Sequence, residues 1–369
     1  MVNAGVSKRN QVFGVATILI TVLLVVAGVE WGLRLMNNSI TNSESMDEGF
    51  ILYDDQLGWK LSPGWQGRHR HHDFEVIYRT NEIGLRGNSE DLFAAQKVFY
   101  LGDSFTFGLG VGEGETFTDW MNQQAAESGA VYSNLGIPGY APDQQLIFLE
   151  SLLKYEPDEV VWVIYLGNDL LDIRYPFPLQ AAYGKPYFIE EDKKLLLRNS
   201  PVPLKSKFGK YQNLSVSSAI LGDYDLYPKW RDYLNRFQLG VRLNGILGVD
   251  EDALKERLAD AQKNDVDLFM AMVERAKTVL QRHGGKLSFV LMPGSGYFRD
   301  GTVPGIYQST LSHSLSDTLA NRGYKVLELG PLLEAYKESG SLLYHPNEGH
   351  LTPTGHKIVG EILFDSGLW

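Results

Sequence analysis

Four short segments of this chain carry residues able to do chemistry: Leu101-Gly-Asp-Ser-Phe-Thr-Phe-Gly108, Asn134-Leu-Gly-Ile-Pro-Gly139, Tyr165-Leu-Gly-Asn-Asp169 and Gly349-His-Leu-Thr-Pro-Thr-Gly-His356. A serine hydroxyl is a weak nucleophile until a positioned base takes its proton during attack. Histidine is suited to that task near neutral pH, and to returning the proton to a leaving group. Ser104 is therefore the candidate nucleophile and His350 the candidate base. Gly136 leaves its backbone amide unobstructed, and Asn168 can aim a side-chain NH₂ at the same point. With the Ser104 amide they would form an oxyanion hole. Asp103 and Asp169 stand beside these groups as supporting residues, Asp169 holding its loop through backbone hydrogen bonds. Each residue alone has a plainer reading: Ser104 as a helix cap, Gly136 as a turn glycine, Asn168 as a strand-end residue. The ordered set is what points to acyl transfer. His356 falls on the helix after His350 and reads as a packing or capping residue, and His345 lies upstream of the block.

These blocks, in this order, resemble the SGNH (GDSL-type) hydrolase and acyltransferase superfamily over roughly residues 96–369. The resemblance implies a three-layer α/β/α, flavodoxin-like domain around a five-stranded, mostly parallel sheet. It also implies a serine acyl-enzyme and no cofactor or metal. One position departs from it. Many members place an aspartate three residues before the histidine, and position 347 is Asn here. Glu348 is the nearest carboxylate. Two arrangements stay open, a Ser104-His350-Glu348 triad and a Ser-His dyad steadied by a carbonyl, and the triad is favoured. The run His69-Arg-His-His72-Asp73 fits no metal-ligand spacing and reads as a solvated surface run.

The first three blocks each follow a short apolar run, which reads as a buried strand. Strands are expected at Val98–Leu101, Val131–Ser133, Val160–Leu166, Leu287–Met292 and Lys325–Leu329, with helical patterns at Gln144–Tyr155 and Leu268–His283. Alternating strands and helices imply a parallel sheet covered on both faces, with ligands beyond the carboxyl ends of the strands. About residues 172–265 form an insertion between the third and fourth strands. It is rich in aromatics: Tyr175, Phe177, Tyr183, Tyr187, Phe188, Tyr224, Tyr227, Trp230 and Tyr233. They could stack on sugars, line an acyl pocket or form the insertion's own small core. Glu251–Arg257 reads as an exposed charged face. Residues 51–95 are a small preface with a strand at Phe74–Tyr78 and a turn at Asn81–Arg86. Its Leu57-Gly58-Trp59 and Asn81, Gly84, Leu85, Arg86 are similar to a preface found in family members that carry a membrane helix.

Ahead of the preface, Gln11–Val29 is uncharged and nearly all apolar, close to the roughly 20 residues a membrane-crossing helix needs. Lys8 and Arg9 precede it and predict a cytoplasmic N-terminus, with the rest of the chain periplasmic or extracellular. A retained anchor over residues 1–36, followed by a tether over 37–50, is favoured over a cleaved signal peptide. The net charge of −11 argues against nucleic acid as a partner. With no cysteine, thiol nucleophiles and disulfide scaffolds are excluded. The expected protein is a membrane-anchored serine esterase or O-acyltransferase acting on an ester-bearing small molecule or cell-envelope glycan. Its alternatives are a catalytically weak accessory subunit docked on a membrane-complex partner, and a lipase or lysophospholipase.

Overall fold

The computed structural model describes residues 4–41, 44–127, 129–179, 183–204, 220, 237, 239–240, 242–243 and 251–367. The chain divides into two compact units, Met1–Glu44 with Asp225–Gly248, and Ser45–Tyr224 with Val249–Trp369.

The first unit is built on α1 (Ala4–Thr41). Within it, Asn10–Met36 spans 27 residues with a mean hydropathy of 2.8 and is unburied, so it is long and apolar enough to cross a membrane. Thr17 and Thr21 return their hydroxyls to carbonyls one turn back, satisfying them inside the helix. The helix continues to Thr41, into the segment expected to be a tether, with no glycine or proline between Gly32 and Thr41 to stop it.

The second unit opens with the preface. Its strands are β1 (Ser45–Met46), β2 (Ile51–Asp54), β3 (Gly58–Leu61), β4 (Gln66–Arg70) and β5 (Glu75–Arg79). β1, β4 and β5 make one antiparallel sheet, and β2 pairs with β3. β5 lies one residue beyond the strand expected from sequence. The other preface strands are too short and polar to announce themselves by alternation.

The main domain continues with β6 (Gln96–Gly102), α2 (Ser104–Phe107), α3 (Phe117–Gln124), β7 (Ala130–Gly136), α4 (Pro142–Leu152), β8 (Glu159–Tyr165) and α5 (Asp169–Asp172). A hairpin of β9 (Tyr187–Glu191) and β10 (Lys194–Arg198) follows. Then come α6 (Glu251–Gln281), β11 (Lys286–Met292), α7 (Val303–Asn321), β12 (Lys325–Glu328), α8 (Leu329–Glu338) and α9 (Pro353–Asp365). The five expected core strands form one sheet, ordered β12-β11-β8-β6-β7, with every pairing parallel.

Strand residues divide between two faces with period two. Val98, Tyr100, Val161, Val163, Val290 and Met292 pack with Phe117, Met121, Leu333, Val359 and Leu363 from α3, α8 and α9. From the other face, Trp162 and Phe289 meet Phe269 of α6. Helices thus cover both sides, giving the α/β/α arrangement.

In the insertion, Phe177 and Phe188 are buried while Tyr183 is 52% exposed. Tyr224, Tyr227, Trp230 and Tyr233 lie outside the described residues. α6 begins at Glu251, inside the expected insertion, because Leu254 and Leu258 supply a buried stripe beneath an otherwise exposed charged turn.

Candidate active site

β6, β7 and β8 end side by side: Gly102 is in register with Gly136, and Leu101 with Trp162. The loops leaving these three strands therefore open on one edge of the sheet. β6 delivers Ser104. Asp103, not Ser104, caps α2, its Oδ1 accepting from the Phe105 amide at 2.9 Å. This leaves the serine hydroxyl available. Thr352 caps α9 and Pro353 opens it, which fixes the segment carrying His350 just ahead of that helix.

Ser104, His350 and Glu348 come together in line. Ser104 Oγ lies 2.7 Å from His350 Nε2, and His350 Nδ1 lies 2.6 Å from Glu348 Oε1. The second oxygen, Glu348 Oε2, accepts the His350 backbone N–H at 2.9 Å. Of the two arrangements left open by sequence, the geometry is that of a triad. Burial on its own would raise the Glu348 carboxyl. The side-chain and backbone hydrogen bonds from His350 outweigh it and hold the group below the usual carboxylate range. Phe105 lies beneath the imidazole, its ring 4.5 Å away, and stacks on Tyr165 at 4.0 Å.

Asp103 has the opposite balance. Burial dominates and pushes its carboxyl up to about 6, against the opposing influence of His350 and its own hydrogen bonds. Its Oδ2 lies 3.5 Å from Ser104 Oγ. Asp169 accepts the Tyr165 amide at 2.9 Å, the loop-holding role expected of it.

The β7 loop requires a correction. The Gly136 amide donates to Asn134 Oδ1 at 3.0 Å, and a Cβ at Gly136 would stand 2.1 Å from the Phe107 nitrogen. Gly136 is thus a close-packing residue under α2, with its amide engaged. Three residues on, Gly139 has φ +81°, a region that favours glycine. Its amide donates to no acceptor among the described residues. In the sequence, the Pro138-Gly139 pair signals only a turn.

Asn168 opens α5, and its Nδ2 donates to Asp172 Oδ2, leaving one N–H of the amide with no acceptor among the described residues. Asp172, passed over in the sequence, also accepts the Leu179 amide at 2.7 Å, and burial pushes its carboxyl up to about 7. The fully buried pair Lys185–Asp143 ties the insertion to the start of α4, just beyond the Gly139 turn.

The remaining histidines do not join the line. His356 is buried, its Nδ1 accepting the Phe117 amide at 3.3 Å, and burial pushes it down to about 3. His345 Nε2 pairs with Gly110 O at 3.2 Å. His69, read as part of a solvated run, is buried against the Tyr78 hydroxyl at 3.0 Å. Its strand alternates inward and outward, a pattern masked by the polar residue types.

Several solved structures are similar to this chain. The lipase Lip_vut3 from a goat rumen metagenome is 14% identical, with 74% of this chain and 98% of that one covered and a TM-score of 0.42. An acetyl xylan esterase, AlAXEase, is 14% identical over 73% and 99% of the two chains, with a TM-score of 0.39. A lipase/acylhydrolase from Enterococcus faecalis is 13% identical over 73% and 94%, also with a TM-score of 0.39. No curated protein sequence matches the chain. The model of the GDSL-like lipase/acylhydrolase family matches residues 100–358, a span that holds Ser104, Asn168, Glu348 and His350, and the chain belongs to that family.

Proposed function

We propose that this protein is a membrane-anchored serine esterase or O-acyltransferase acting on an O-acetylated cell-envelope glycan, with Ser104 as nucleophile. The observation that carries the proposal is the unbroken line Ser104–His350–Glu348, at 2.7 and 2.6 Å. Ser104 Oγ attacks the ester carbonyl while its proton passes to His350 Nε2. Glu348 holds the imidazole in the tautomer that accepts at Nε2 and stabilises the cation that forms. The developing oxyanion is met by the Ser104 amide, the Gly139 amide and the Asn168 side chain, each such donor worth about 2.7–4 kcal/mol. His350 returns the proton to the leaving alcohol, and an acyl-serine remains. Water then completes hydrolysis, or a glycan hydroxyl completes transfer, with His350 again taking the attacking proton.

A glycan acceptor or substrate is supported by Tyr183. It is half-exposed and lies 5.9 Å from Trp59, whose Nε1 donates to Pro138 O on the Gly139 turn at 3.1 Å. An aromatic ring so placed suits stacking on a sugar. Membrane anchoring is supported by α1, and a periplasmic or extracellular domain by Lys8 and Arg9 ahead of its apolar stretch.

The test is turnover of p-nitrophenyl acetate, butyrate and octanoate by the full chain in detergent, beside Ser104→Ala. Acetate hydrolysis that falls by about 10³-fold or more in the variant is expected. Preference for octanoate would replace the glycan with a lipid substrate. If the folded wild type and variant turned over equally, with a glycan acceptor present, the catalytic reading would be lost.

A further inference from the structure

We propose that Asp73, in the preface, is a positioning residue of the active site, fixing the Asn347-Glu348 peptide so that Glu348 meets His350. The inference rests on the Ser104–His350–Glu348 mechanism proposed above. Asp73 lies in the tight turn between β4 and β5, closed by the His71 amide donating to Phe74 O at 2.9 Å. Its Oδ2 accepts from the Asn347 amide at 2.7 Å and the Glu348 amide at 2.9 Å, and its Oδ1 accepts from Asn347 Nδ2 at 2.6 Å. One carboxylate thus gathers three donors from two consecutive residues, in charge-assisted bonds that are short and strong. The adjoining Phe74 ring lies 5.0 Å from His345, whose amide donates to His350 O at 2.8 Å. The hairpin therefore holds Asn347 and Glu348 directly and touches His345, which is itself bonded to His350.

This arrangement gives a physical reason for asparagine at 347. The side chain there faces a carboxylate at hydrogen-bond distance, so it must donate. An aspartate at 347 would bring two carboxylates together, each disfavouring the other's charge. In this chain the acid that meets the imidazole stands at 348, and position 347 serves as the donor to Asp73.

The swap of the two side chains tests the pairing. In D73N/N347D the amide at position 73 can donate to the carboxylate at 347 while its oxygen keeps the two backbone amides. The full chain in detergent would be compared as wild type, D73N, N347D, the double variant and Ser104→Ala. The readouts are kcat and KM on p-nitrophenyl acetate, the rate of serine labelling by an alkyl fluorophosphonate, and the thermal midpoint. Each single variant is expected to lose about 10-fold or more in kcat and labelling rate, with KM changed by no more than about threefold. The swap is expected to recover to within about threefold of wild type. Wild-type rates in D73N, with Ser104→Ala silent, would overturn the role of Asp73 alone. So would a folded swap no faster than the worse single variant, a comparison that stands even if the single variants unfold. Labelling that survives in Ser104→Ala would overturn the nucleophile assignment, and this inference with it.

Discussion

Two carboxyls stand beside the Ser104–His350 pair, and their surroundings drive them apart. Glu348 receives two hydrogen bonds from His350 and is held below the usual range despite its burial, so in the proposed mechanism it is an anion when the imidazole becomes a cation. Asp103 is fully enclosed and pushed up to about 6 by that burial, and its geometry is that of a helix cap. Gly136 acts at the same scale through space alone. A methyl group there would stand 2.1 Å from the Phe107 nitrogen and 2.6 Å from the Thr106 carbonyl carbon, both backbone atoms with no rotamer to yield. Gly136→Ala is therefore expected to displace α2 and Ser104 with it. Stability should fall by about 1–3 kcal/mol, and ester turnover by about 100-fold, the scale of a misplaced reacting group. Denaturant unfolding and the acetate assay check the two parts. Unchanged turnover in a folded Gly136→Ala protein would show that α2 accommodates the methyl without moving the serine.

Among elements, the preface hairpins and the loop after α2 are joined by Arg86. Its guanidinium donates to Phe107 O at 3.1 Å, Gly108 O and Val111 O at 2.8 Å, and Gly112 O. Burial pushes Arg86 down from its ordinary value, with Glu113, 3.6 Å away, opposing the shift. The planar fork serves four carbonyls at once, which a lysine ammonium cannot. Arg86→Lys is expected to lower stability by about 2–4 kcal/mol, since buried acceptors lose their partners. A loss below about 0.5 kcal/mol in denaturant unfolding would make the fork dispensable. The Gly84-Leu85-Arg86 run was visible in the sequence, but its partners lie beyond a turn and a strand, and only the packed structure supplies them. Asp73 was hidden more deeply. It sits in a polar run, and its partners are 274 and 275 residues away. The five core strands were legible because strands buried on both faces read as continuous apolar runs. Ser104, Asn168 and His350 were legible because they directly follow strands or precede a capped helix. Gly139 was missed because a free amide leaves no side-chain signal.

Across the whole molecule, buried titratable groups give stability an acid and a neutral limb of opposite sign. His356 is pushed down to about 3 by burial, while an unfolded histidine titrates near 6.5. Its contribution is fully present above pH 6.5. As pH falls, the unfolded chain takes up a proton that the folded chain refuses, and stability is lost at about 1.4 kcal/mol per pH unit toward pH 3. Asp172 runs the other way. Its folded value is pushed up to about 7 against 3.8 for the free group, so its contribution is present below 3.8 and lost as pH rises through about 7. Asp103, at about 6, adds to the same limb. Between these values the opposing slopes partly cancel, so the wild-type curve alone cannot separate them. Substitution can. In His356→Asn the side-chain oxygen still accepts the Phe117 amide, but no proton is bound between pH 3 and 6.5. The variant is expected to be less stable than wild type at pH 7, because the stacking of His356 on Phe117 is lost. That deficit should shrink by about 1.4 kcal/mol for each unit below pH 6.5, as the wild type alone pays the histidine's proton. Urea unfolding of both proteins from pH 7.5 to 5.0 measures it. A deficit constant with pH would mean that His356 titrates alike in both states, and that the acid limb of this fold belongs to its carboxylates.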